Sequence, residues 1–217
     1  MSFQSRPTVP RDTAEAGSAA LGALPEWDLS DLYPAPDAPE LARDLDWLRG
    51  ACADFAARYQ GRLATLDAAG FLECIRAYER IHAVSGRIMS YAGLRYYQQT
   101  TDAERSQFLA NMQDRVTEYT TPLVFFSLEV NRLDDALVDG WLAADAELAR
   151  YRPVLERLRK MRPHQLSDEL ERFLHDMSVV GAAAWNRLFD ETTAALTFEV
   201  QGETLNLEAT LNTLTDT

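Results

Sequence analysis

"TTDAERSQFLANMQDRVTEYTTPLVFF", residues 100–126, sets large apolar side chains at Phe108, Met112, Val116, Tyr119, Leu123 and Phe126. Steps of four, four, three, four and three residues between them follow one face of an α-helix. Thr101, with Glu104 three residues on, reads as a capping box that starts the helix. Pro122 lies inside the stretch; lacking an N–H, it is expected to kink the helix.

Upstream, 68–98 repeats the pattern through Phe71, Ile75, Tyr78, Ile81, Ile88 and Ala92. Two long amphipathic helices joined by a few residues must lie antiparallel, so 68–130 reads as a helical hairpin. Before it, Leu41, Leu45, Leu48, Cys52 and Phe55 share one face, with Asp37 as the expected N-cap, Glu40 as its box partner and Gly61 as the stop. Shorter helices are expected over 134–145, 147–161, 167–180 and 182–194. Pro153 fits only near the start of the second or at a kink. The third opens on Asp168, Glu169 and Glu171 and ends at Gly181. In "ALTFEVQGETLNLE" (195–208) the period falls to two. A Gln201-Gly202 turn there pairs Phe198 with Leu205 and Leu196 with Leu207. A last helix begins near Glu208.

The fold class is therefore mainly α: a multi-helix domain with a long antiparallel helical hairpin and a short C-terminal β-hairpin. Residues 1–23, rich in Ala, Gly, Ser, Thr and Pro, read as a disordered arm. Residues 24–34 read as a docked opening segment, 35–145 as the hairpin subdomain, and 146–217 as short helices plus the β-hairpin.

A formal charge of −13 and a pI near 4.6 set the chain against nucleic acid. The densest basic stretch, Arg150, Arg152, Arg157, Arg159, Lys160 and Arg162, reads as a solvated helix face with a cation-rich last turn. No apolar run approaches the ~18 residues of a membrane span, and 1–23 lacks the layout of a secretory signal. Together with two isolated cysteines, Cys52 and Cys74, this points to the cytoplasm, with both thiols buried and inert.

Chemistry is sparse. There are three histidines. His164 and His175 would stand ~16 Å apart on a continuous helix, too far to share a metal. His82 sits in "ERIH", a Glu-x-x-His like that of carboxylate-bridged di-iron bundles, but no second copy exists. Acid pairs at Asp44–Asp46, Asp134–Asp135 and Asp168–Glu171 fit helix starts and solvated faces. No nucleophile elbow, phosphate loop or His-Glu-x-x-His occurs. The sequence thus marks no catalytic residue, no metal ligand and no substrate-binding residue.

Two stretches resemble one family. "LPEWDLSDLYP" (24–34) is similar to the opening of the oligoendopeptidase F group of zinc metallopeptidases, relatives of thimet oligopeptidase; the matching positions are Trp27, Leu29, Ser30, Asp31, Leu32 and Tyr33. Within 164–207, a second match falls on Leu166, Ser167, Asp168, Glu169, Glu171, Gly181, Ala184, Trp185, Leu188, Phe189, Asp190 and Phe198. Burial of Trp27, Leu29, Leu32 and Tyr33, at ~1.5–3 kcal/mol per large side chain, would clamp the opening segment onto the fold.

The resemblance implies the non-catalytic N-terminal part of a zinc-dependent oligopeptidase that hydrolyses short peptides, with this region forming part of one wall of a substrate channel. The implied zinc belongs to the full-length enzyme and none is expected in this chain, because the family's His-Glu-x-x-His helix and third ligand would lie beyond residue 217. The implied partners are a missing C-terminal catalytic domain and short peptides, with no nucleic acid and no membrane. One rival is a stand-alone helical interaction module without activity, using 68–130 as its surface. Another is an unrelated helical-bundle enzyme, which a bound metal or a cleft converging on His82 would favour.

Overall fold

A computed structural model describes residues 26–214; the expected arm at 1–23 lies outside the described residues. Helix α1 (Pro39–Tyr59) buries Leu41, Leu45, Leu48, Cys52, Phe55 and Tyr59, a stripe one residue longer than expected. It starts at Pro39 with Ala38 in the capping position and no side-chain cap, which corrects the expected role of Asp37. Proline suits a first helical position, where its preset φ helps and its missing N–H leaves nothing unpaired. The Gly61 N–H that follows α1 donates to Glu129 Oε1 at 2.7 Å, tying this stop to a distant helix.

Helix α2 (Ala68–Tyr97) is capped by Asp67, whose carboxylate accepts the Gly70 N–H at 2.7 Å. Helix α3 (Ala103–Thr120) returns alongside it, so the helical hairpin is observed. Its cap is Asp102, not Thr101: one carboxylate oxygen accepts the N–H groups of Glu104 and Arg105 at 2.8 and 3.1 Å. A carboxylate one residue nearer the helix satisfies two orphan donors at once, and so displaces the threonine. At Pro122 the helix breaks outright into a 3₁₀ turn, Thr121–Leu123, before α4 (Val124–Arg132). The hydroxyl of Thr120 donates back to the carbonyl of Val116 at 2.8 Å, capping the interrupted end.

Helix α5 (Asp135–Ala144) follows an Asp134 cap. The expected helix at 147–161 is two, α6 (Ala146–Ala149) and α7 (Arg152–Arg159), because Pro153 takes a first-turn position and forces a fresh start. Helix α8 (Asp168–Met177) is capped by Ser167, whose Oγ accepts from Leu170 N–H at 3.4 Å, and Glu171 Oε1 reaches back to accept from Leu166 N–H at 2.9 Å. It ends three residues short of the expected Val180. Helix α9 (Ala182–Ala194) begins after Gly181, where a Cβ would lie 2.9 Å from the Met177 carbonyl oxygen, so only glycine lets the chain pass.

Strands β1 (Thr197–Val200) and β2 (Glu203–Asn206) pair antiparallel, with Phe198 opposite Leu205 as expected. Gln201 and Gly202 both have positive φ, 53° and 89°, as the tight hairpin turn requires. The expected Leu196–Leu207 pair falls outside the strands, because Asn206 caps α10 (Leu207–Asn212) through the Ala209 N–H.

The core draws on α1 to α7, its buried apolar side chains running from Tyr33 to Leu155. Phe55 is its aromatic hub, with ring centroids 4.9 to 5.9 Å from Tyr59, Tyr78, Phe125 and Phe126. The opening segment docks through Tyr33, 1% exposed, with Leu29 and Leu32 half-buried against the core. Trp27, expected inside, is 67% exposed. Its carbonyl accepts from Gln98 Nε2 at 3.1 Å while its indole points away from the core.

Candidate functional site

The acidic pairs in the sequence serve the fold. Asp44 pairs with Arg87 and Tyr33, and Asp46 with Arg49. Asp134 caps α5, and Asp168 pairs with Arg132. Asp135 meets both Arg159 and Arg162, and the hydrogen bond from Arg159 leads the causes that hold its carboxyl below the usual range. The basic stretch is likewise tethered: Arg150 to Glu147, Arg152 to Asp139, and Arg159 to the carbonyls of Val130 and Leu133. Burial pushes the Cys52 thiol up to about 11 and the Cys74 thiol up to about 12, the reverse of a reactive thiolate.

Of the histidines, His164 lies exposed in a 3₁₀ turn, Arg162–His164. His82 and His175 line a single cleft of about 460 Å³ between α2, the α3–α4 break and α8. No spacing in the sequence pointed to that convergence, since it depends on where the helices after α5 fold back. The His82 ring lies 4.2 Å from Tyr78, which stacks on Phe126 at 4.2 Å, and burial lowers its pKa. His175 Nε2 is 3.3 Å from Thr120 Oγ1. Glu171 completes the ionisable lining. Among the described residues no three His, Cys, Asp or Glu side chains converge to hold a metal, so they do not fit a zinc centre.

The other unusual feature is apolar. Helices α8, α9 and α10 bury no residue at all. Leu170, Phe173, Leu174 and Met177, at i, i+3, i+4 and i+7 on α8, are 51, 56, 51 and 42% exposed. On α9, Trp185, Leu188 and Phe189 are 69, 51 and 69% exposed. These are core-type stripes with no core against them. What fastens this part to the helices beneath is largely polar. Arg132 pairs with Asp168, Thr121 Oγ1 donates to Asp176 at 2.6 Å, Ser106 Oγ to Glu191 at 2.6 Å, and Arg187 to Gln113 at 2.9 Å. Leu166, Trp185, Leu188, Phe189 and Phe198, which carry the second sequence resemblance, all stand on the exposed side.

Comparison with known proteins places a family match over this segment. The sequence model of a family described as oligopeptidase F matches residues 129–198. Oligopeptidase PepF of Bacillus subtilis (strain 168) is 24% identical over 177 residues, covering 79% of this chain and 25% of that protein.

The chain is similar to the N-terminal region of oligoendopeptidase F-type proteins.

The crystal structure of oligoendopeptidase-F from Enterococcus faecium shares the fold of this chain, with a TM-score of 0.65 and 22% identity over 77% of this chain and 34% of that one. The region thus spans about a quarter of the length of the curated relative it matches. No described helix is long and apolar enough to cross a membrane.

Proposed function

We propose that this region is the non-catalytic N-terminal part of a zinc-dependent oligopeptidase acting on short peptides, and that it forms part of one wall of the substrate channel. The observation that carries the reading is the apolar face of α8 and α9, which lies within the segment matched by the oligopeptidase F family. Such a face is stable in water only when covered. In this reading the catalytic part covers it, 24–34 docks the chain start, 35–145 is the hairpin subdomain, and 146–217 leads into the catalytic part. Zinc, which supplies a Lewis acid and an activated water in such peptidases, would be held entirely outside this chain. Here the described residues contribute scaffold, and the site of action is the cytoplasm.

A quenched fluorescent peptide tests the reading. The 217-residue chain should not cleave it and should hold no stoichiometric zinc. A polypeptide joining this region to a His-Glu-x-x-His catalytic part should cleave it in a chelator-sensitive way. Chelator-sensitive turnover by the purified region alone overturns the reading.

A further inference from the structure

Burial divides the chain unevenly. Among the described residues every buried side chain lies between Tyr33 and Leu155, and none beyond Leu155 is buried. The half-buried apolar side chains that pack against this core end at Tyr151. Apolar burial is the main force that holds a fold together, and here it is confined to α1–α7. Beyond Lys160 the bonds back to that body are polar. Asp168, Asp176, Arg187 and Glu191 tie α8 and α9 to the α3–α4 segment, and Arg162 donates to the Leu133 carbonyl at 3.3 Å. The Arg132–Asp168 side chains are 50 and 40% exposed, so water and salt compete for the pair. Hydrogen bonds at such positions replace bonds to water and add little net stability.

Length adds to this weakness. Helices α8, α9 and α10 have 10, 13 and 6 residues. Helices below about 12–15 residues are marginal in water unless they pack on something. Lifted from α3 and α4, they have nothing to keep them helical. The link to α7 is short: Lys160 caps that helix, the 3₁₀ turn Arg162–His164 follows, and extended Gln165 leads on to the Ser167 cap. We propose that the chain beyond Lys160 is a strap, hinged at 160–167 and released from α1–α7 without unfolding them. Its helices are fixed only by the part of a longer polypeptide that covers α8 and α9. That last step rests on the function proposed above; the release rests on the burial itself. The strap therefore opens locally, at a far smaller free energy than the core of α1–α7.

The sequence supplies its own test. Lys160 is the single lysine of the chain and lies exposed at the hinge, so a lysine-specific protease cuts the intact protein there alone. After the cut, gel filtration should separate 1–160 from 161–217. The larger piece should keep the near-ultraviolet circular dichroism of the buried Trp141 and the urea midpoint of the uncut chain. In the uncut chain, amide hydrogens of α8 and α9 should exchange at least about a hundredfold faster than those in the middle of α1 and α2. When the region is joined to a catalytic part, exchange in α8 and α9 should slow at least about tenfold. Pieces that stay together, loss of the Trp141 signal on cutting, or equal exchange in all four helices overturns the release. Unchanged exchange in the joined protein overturns the fixing. The peptidase reading is judged by turnover of the joined protein, so the two fail separately.

Discussion

The Tyr33 hydroxyl donates to Asp44 at 2.5 Å, while Arg87 pairs with the same carboxylate, donates to the phenol oxygen at 3.1 Å and lies over the ring at 5.0 Å. Burial first, then the Asp44 hydrogen bond, pushes the phenol up to about 12. Tyr91 packs edge-on against the same ring at 5.4 Å. This contact set, rather than the tryptophan six residues earlier, fastens the opening segment to α1 and α2. Tyr33→Ala should cost about 3–5 kcal/mol, and Tyr33→Phe about 1 kcal/mol. Trp27→Ala should stay within about 0.5 kcal/mol, because most of its surface is already wet. Urea midpoints of the three variants at constant m-value check the ranking.

Arg159 binds the chain between α4 and α5. Its side chain is 12% exposed and donates to the carbonyls of Val130 and Leu133 at 2.7 and 2.8 Å. Arg159→Met keeps the stem and removes the donors, leaving both carbonyls short of a partner; a loss of about 1–3 kcal/mol is expected. Asp135→Asn, at an exposed partner, should cost much less. Chemical denaturation of both variants measures the difference.

His82 makes stability pH-dependent. Its folded pKa is lowered by burial, so between the folded and unfolded values the unfolded chain binds the extra proton. Its contribution is therefore fully present above about pH 6.5 and is lost as pH falls toward the depressed folded value. His82→Gln should show a smaller drop in urea midpoint between pH 7.5 and pH 5 than the unaltered chain. An identical drop would remove His82 from the account.

The exposed stripes should bind apolar dyes and promote self-association of the isolated region. Trp185→Asp with Phe189→Asp should reduce dye fluorescence severalfold while shifting the unfolding free energy by less than about 0.5 kcal/mol per site, since neither side chain is buried here. A large stability loss would mean that these rings pack within the region itself.

Periodicity alone located the hairpin of α2 and α3, the Pro122 break and the β-hairpin register, because each is a local consequence of spacing or of turn chemistry. What local pattern could not supply was the partner of each apolar face. Tyr33 and Trp27 look equivalent as residue types, yet one meets Asp44, Arg87 and Tyr91 and the other meets none of them. The same blindness applies to Leu170, Phe173 and Trp185, whose helical spacing is that of a core face and whose surroundings in this chain are solvent. The cap at Asp102 was missed because a threonine box and an aspartate cap compete within one residue. The meeting of His82 with His175 depends on how α8 returns over α2, which no spacing encodes.

The central claim is that the face of α8 and α9 is covered by the catalytic part of a longer peptidase. Hydroxyl-radical footprinting tests it directly, comparing this region alone with a polypeptide in which it is joined to that part. The account predicts that Phe173, Met177, Trp185 and Phe189 react readily in the isolated region and are protected severalfold in the joined protein. Equal reactivity of all four in both proteins would contradict it.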